Sequence, residues 1–229
     1  MHTHRSTYTS SFAGANRTVP LFDRFVAWVC DPARADGMFV TEQDLTSLLG
    51  ISRTPMREVL HQAQTIGLIR REPNRSIEIP ALTLADMEQL SITREHLEAL
   101  ISMSATSRVA RGEVSIEPLE RIHRRISALA QIGDIEQQLK AGLEFHAEMR
   151  IMSGNAVAAR LLDQLMINLE RYRQLVAGNP DRGMEIVEEH QLILKAVASG
   201  DAGQAAQVAR AHIEHARTLY SRVLTDRLR

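Results

Sequence analysis

The chain has 229 residues, 44% of them hydrophobic but only 4% aromatic, with 27 basic against 28 acidic side chains and a formal net charge of -1. That length and apolar content exclude a mainly disordered chain and leave room for one large or two modest domains, each with its own core. Wholly apolar runs stop well short of the ~18 residues a membrane helix needs, and the opening segment lacks the apolar block of a secretory signal, so a soluble, cytoplasmic protein with no membrane partner is expected.

Residues 1–18 are rich in Ser, Thr and small side chains without an apolar period, and are expected to form a tail. Leu21, Phe22, Phe25, Val26 and Val29 then recur at helical spacing. Cys30 has no second cysteine to pair with and no metal or redox motif around it, which makes it a small core residue. Asp31-Pro32 and Asp36-Gly37 end that helix. Thr41 followed by Asp44 has the form of a capping box opening a short helix through Leu49, and Gly50 closes it. Ser52 is positioned to cap the next helix, where Met56, Val59, Leu60 and Ala63 share one face. Pro55 falls in the first turn, where no intrahelical amide bond is lost. Beyond Gly67, Leu-Ile-Arg-Arg and Ser-Ile-Glu-Ile alternate apolar with polar on either side of Pro73-Asn74, the pattern of a two-stranded hairpin.

Helix, tight turn, helix and basic hairpin is the layout of a winged helix-turn-helix, whose second helix enters the DNA major groove. The near-zero average charge conceals a basic window at 51–75, where Arg53, Arg57, Arg70, Arg71 and Arg75 face only Glu58 and Glu72. Arg53, Thr54, Arg57 and His61 lie opposite the apolar face and suit guanine edges and phosphates; a solvated helix face is the other reading of the same charges.

From Thr83 onward the segments are long, rich in Ala and Leu, and spaced in threes and fours. Breaks at 111–112, 117–118, 133–134, 153–155, 178–180 and 199–201 divide them into about six helices of an antiparallel bundle. The expected fold is mainly α, in three parts: the tail at 1–18, a winged helix-turn-helix at 19–80, and an all-α domain at 83–225.

The run from Leu49 to Leu60, LGISRTPMREVL, followed by Gly67-Leu-Ile69, resembles the signature of GntR-family bacterial transcription regulators. The resemblance implies that Ser52, Arg53, Thr54 and Arg57 contact operator bases and phosphates. Gln43 matches a position often held by arginine that reaches DNA, and Arg75 lies in the wing, which here has Pro73-Asn74-Arg75-Ser76 in place of the usual glycine-bearing turn. The helical remainder resembles the FadR-type effector domain called FCD, on Arg94-Glu-His-Leu-Glu98, Phe145-His146, Ser153-Gly154-Asn155, Glu189-His190 and Ala211-His212. In such domains three histidines and an aspartate hold a divalent metal. His146, His190 and His212 match the histidines, whereas Gly142 occupies the aspartate's place. Neutral imidazoles suit zinc or nickel and leave coordination positions open.

The resemblance therefore implies a homodimeric regulator, a repressor of a nearby catabolic or transport operon, that binds a palindromic double-stranded operator and responds to a small carboxylate effector. Arg94 is the candidate for the effector's charge partner, its alternative being an ion pair with Glu98 one turn away. Asn155 either orients the effector or caps a helix. A second reading keeps the regulator without metal, with a larger effector or none. A third, a metal-dependent hydrolase, would need a general base beside the metal, and no paired carboxylates or H-E-x-x-H spacing appear.

Overall fold

A computed structural model describes residues 19–72, 76–176 and 183–227, so the tail at 1–18, Arg75 with the rest of the wing turn, and the break at 178–180 lie outside the described residues. The chain divides into two compact units: one comprises residues up to Thr83 together with Ile167–Gln174, the other Leu84–Met166 and the residues from Leu175 on.

The first unit opens with α1 (Leu21–Val29), whose Phe25, Val26, Trp28 and Val29 are buried, followed by a short 3-10 turn at Pro32–Arg34. The backbone at Gly37 has φ +79°, and a Cβ there would sit 2.7 Å from the Ala81 amide nitrogen, so only glycine fits. Next comes β1 (Met38–Thr41), a strand that the sequence pattern does not announce. It pairs antiparallel with β3 (Ser76–Ile79), Val40 opposite Ile77, and β3 pairs on its other edge with β2 (Arg70–Arg71), giving the order β1-β3-β2. The expected hairpin is thus two strands of a three-stranded sheet. Ile77 and Ile79 point into the core while Ser76 and Glu78 stay partly exposed, the alternation expected of a sheet with one buried face.

Between these strands lie α2 (Glu42–Leu49) and α3 (Arg53–Thr65). The capping box forms: the Thr41 hydroxyl accepts from the Asp44 amide at 3.1 Å, and the Asp44 carboxylate accepts from the Thr41 amide at 2.9 Å. Ser52 occupies the N-cap position of α3, but its side chain makes no capping bond among the described residues, unlike the expectation. Met56, Val59, Leu60 and Ala63 are buried in one core with Phe25, Val29, Leu45, Leu68 and Ile79. Each large side chain fully withdrawn here contributes roughly 1.5–3 kcal/mol.

Eight residues of a later helix complete this unit. Asn168 donates to the Ile66 carbonyl at the end of α3 (2.8 Å), Arg171 to the Arg34 carbonyl (3.2 Å), and the Tyr172 hydroxyl both accepts from the Thr83 amide (3.3 Å) and donates to its carbonyl (3.2 Å). Sequence periodicity assigns these residues only to the helical domain, because a helix's spacing does not reveal which core its far end enters.

The second unit is the helical one: α4 (Leu84–Ala110), α5 (Glu117–Gln131), α6 (Ile135–Ser153), the first part of α7 (Ala156–Val176), α8 (Gly183–Ser199) and α9 (Ala202–Arg227), six helices among the described residues. Their ends agree with the expected breaks wherever those are described. α4 packs along α9, α6 and α8, and α5 along α6 and α8. Buried Ala205, Ala206, Ala209 and Ala216 keep the inward face of α9 slim enough for close approach. The core joins Ile101, Leu119, Ile126, Phe145, Met149, Leu162, Ile193 and Val197.

Candidate functional site: a three-histidine centre and a nucleic-acid face

α6, α8 and α9 bring His146, His190 and His212 together, all three buried, with one ring nitrogen from each within 4.8 Å of the others. The His146 and His212 Nε2 atoms are 3.1 Å apart. Each outer nitrogen has a partner. His190 Nδ1 faces the Ile186 carbonyl at 2.7 Å, fixing that nitrogen as a donor. His212 Nδ1 lies 2.7 Å from Glu189, which also takes His215 Nδ1 with its other oxygen. His146 Nδ1 lies 3.4 Å from Glu98. His190 Nε2 is buried and has no hydrogen-bond partner among the described residues.

That wiring fixes the chemistry. A protonated Nδ1 leaves Nε2 as a lone-pair donor, so the three imidazoles present inward the atoms a divalent transition metal takes. Burial, reinforced by the charges of the neighbouring histidines, holds the His190 pKa well below its usual range, and burial brings His212 down to about 4 despite the opposing Glu189 bond. Neutral rings are the form that ligates. The donor set and the orphaned Nε2 fit a metal.

Glu98 is fully buried. Burial by itself would raise its pKa, but the opposing pull of His146, Arg94 and Arg150 outweighs it and keeps the carboxyl ionised well below the usual range. Arg94 Nε reaches Glu98 at 3.4 Å with both side chains buried, so the ion pair weighed from the sequence exists. Glu98, Ser102, Phe145, Met149 and Ile213 gather around His146 and His212. Asn155 caps α7, accepting from the Ala158 amide at 3.0 Å. Gly142 lies next to the cluster: a Cβ there would stand 3.7 Å from His190 Cε1 and 4.0 Å from Nε2. His96 is exposed, and His123 is buried with its Nε2 at the Val187 carbonyl. Glu98 is expected from the sequence only as an ion-pair partner of Arg94, and Glu189 is not expected at the centre; the spacing of His212 and His215, three residues apart on one helical face, is the pattern that a bridging carboxylate can meet.

In the first unit, Gln43, Ser52, Arg53, Thr54, Arg57 and His61 are all exposed. Arg57 Nε donates to Glu42 at the start of α2 (3.1 Å), and Arg70 pairs with Glu78 across β2 and β3 (3.6 Å). Arg53 forms no ion pair among the described residues. Among the described residues no helix is long and apolar enough to cross a membrane.

The FCD domain family matches residues 89–215. The chain is 26% identical over 200 residues to the uncharacterized HTH-type transcriptional regulator BphR of Paraburkholderia xenovorans (strain LB400), spanning 84% of this chain and 80% of that one. It is 20% identical over 167 residues to the HTH-type transcriptional regulator McbR of Escherichia coli (strain K12), at 72% and 75% coverage. In fold it is similar to E. coli McbR/YncC, with a TM-score of 0.70 at 17% identity over 89% of this chain and 98% of that one. It is also similar to a putative transcriptional regulator GntR from Rhodococcus sp. RHA1, with a TM-score of 0.67 at 16% identity over 89% and 97%.

Proposed function

The chain belongs to the FCD-domain family of GntR-type transcription regulators, and from that premise we propose a DNA-binding homodimer whose grip on a palindromic operator is set by a small organic acid bound in its helical unit. Its relatives are HTH-type regulators of transcription, and the hydrolase reading falls with that finding. Repression of the controlled genes is part of the proposal. Ser52, Arg53, Thr54 and Arg57, with Gln43 from α2 and Arg75 from the wing, are the proposed DNA-contacting residues. Two copies of α3 spaced one helical turn apart would read the two halves of a palindrome.

The observation that carries the effector half of the proposal is His190 Nε2, a buried lone pair without a partner among the described residues, beside the facing nitrogens of His146 and His212. Those three residues would hold a divalent ion, zinc or nickel, and the ion would supply a Lewis-acidic anchor for a carboxylate. Electrostatics supports the pairing of metal with acid. Glu98 offsets the charge of Arg94, and a divalent ion would add the positive potential that draws in a carboxylate. Arg94 and Asn155 are the effector-side residues in this reading, Arg94 through its guanidinium and Asn155 through the end of α7 that it caps. Coupling to DNA requires that the acid bind the two states of the protein with different affinity.

Untagged protein analysed for metal, then screened by thermal shift against small carboxylic acids before and after chelation, tests this. The expected result is near-stoichiometric zinc or nickel and an acid that raises Tm only in the metal-loaded protein. Metal-free protein that cannot be reloaded, or acids that act equally after chelation, would overturn the metal-borne effector site.

A further inference from the structure

Arg57 and Glu42 meet across the turn between α3 and α2, Nε to Oε1 at 3.1 Å, with 67% of the arginine side chain and 27% of the glutamate exposed. So exposed a pair contributes little to stability. Its effect lies in geometry and charge. A guanidinium has five N–H donors in a rigid plane, and fixing Nε fixes the direction of the other four. Those four have no hydrogen bond among the described residues. Two of them on one edge are what a guanine needs, O6 and N7 being read together by a bidentate arginine.

The carboxylate also cancels the charge that would otherwise make Arg57 a phosphate clamp. Arg53, one turn earlier on the same exposed face, has no acid beside it among the described residues and keeps its full charge. The two arginines are therefore not equivalent: Arg53 suits the backbone, which attracts any cation, and Arg57 suits a base edge, which requires aim.

We propose that Glu42 is a specificity-determining positioning residue: it holds Arg57 in the orientation that reads a guanine and keeps it off the phosphates. This rests on the reading of α3 as the DNA-contacting helix. The pairing joins the first residue of α2 to the fifth of α3, so the register of the two helices sets where the arginine points.

The test is selection of duplexes from a randomised DNA library by the full-length protein and its variants, sequenced to give base preferences, with a salt titration of binding to mixed-sequence DNA. The wild type enriches a motif containing a strongly preferred G·C position. Glu42→Gln, isosteric and uncharged, lowers the preference at that position alone by about tenfold and steepens the salt dependence on mixed DNA by about one counterion, since the released arginine now finds phosphate. Arg57→Lys keeps the charge but loses the bidentate edge, and loses the same position. Circular dichroism confirms that each variant is folded. If Glu42→Gln retains the full preference while Arg57→Lys loses it, Glu42 is a bystander and the proposal falls. If Arg57→Lys and Arg57→Ala leave the motif unchanged, the assignment of Arg57 to DNA falls with it. If the wild type enriches no motif, the DNA reading itself fails.

Discussion

Glu189 bridges two histidines of one helix: its carboxylate takes Nδ1 of His212 with one oxygen and Nδ1 of His215 with the other. His212 faces the centre and His215 faces solvent, so a single carboxylate anchors an inward ring by also gripping an outward one. The glutamate is thereby committed to keeping His212 in the tautomer that offers Nε2.

Removing that anchor weakens metal binding without removing a ligand. Glu189→Gln is expected to lower metal affinity about 10–100-fold, the usual effect of losing a carboxylate behind a ligating imidazole, while His212→Ala abolishes stoichiometric binding. Competition with a chromophoric chelator reads both. Equal affinity in Glu189→Gln and wild type would show that His212 needs no anchor.

Gly142 offers the converse experiment. A Cβ there meets His190 at ordinary contact distance, so a larger side chain enters without backbone clash. Gly142→Asp places a carboxylate beside the three imidazoles, and because aspartate is itself a poor helix former the swap changes the stability of α6 by only about 0.1–0.3 kcal/mol. Metal affinity should rise by ~10-fold or more, the scale on which even outlying partners act. The same chelator competition measures it, and unchanged affinity would place residue 142 outside the coordination sphere.

The buried histidines give the metal-free protein a defined pH response. Burial holds the folded pKa of His212 at about 4 and that of His190 well below the ordinary 6.5. Below pH 6.5 the unfolded chain binds protons that the folded one refuses, so stability falls as pH drops from about 6.5 and the loss levels off near 4. For His212 alone the expected decline is on the order of 3 kcal/mol, and His190 adds to it in the same direction. Urea melts of chelated protein at stepped pH read it, and His190→Gln should flatten the slope. A flat profile across that window would mean the rings are hydrated.

Gly37 and Gly50 both have positive φ but differ in surroundings. A Cβ on Gly37 would collide with the Ala81 amide, while one on Gly50 would have open space around it. Gly50→Ala should cost about 1 kcal/mol for the left-handed backbone alone, and Gly37→Ala clearly more, roughly 2–4 kcal/mol, because backbone must move. Equilibrium denaturation of the two variants side by side distinguishes them, and equal costs would show that the 35–38 turn yields easily.

Local features were the legible ones. The Thr41–Asp44 capping box lies within one turn, and its bonds form as the residue types require. The long helices after Thr83 announce their ends through Gly and Asn, and the three histidines share helical faces that point inward. What stayed hidden depends on distant partners. β1 has too short and irregular an apolar pattern to be recognised, and it becomes a strand by pairing with β3 nearly forty residues later. Ser52 has the right identity for a cap, yet its hydroxyl is left unused at the helix start, which no residue type foretells. The Glu42–Arg57, Glu98–His146 and Glu189–His212 pairs each join different helices, so their distances follow from packing and not from spacing.

The eight residues of α7 that finish the first unit affect how the protein comes into being. Ile167 packs on its core, and the carbonyls of Arg34, Ile66 and Thr83 receive their donors from Arg171, Asn168 and Tyr172. A nascent chain emerging at about 5–20 residues per second has α2 and α3 outside the ribosome well before these donors exist. The first unit is therefore completed only after α4, α5 and α6 have been synthesised, and a polypeptide truncated before Ile167 keeps α2 and α3 but lacks the donors that the Arg34, Ile66 and Thr83 carbonyls receive.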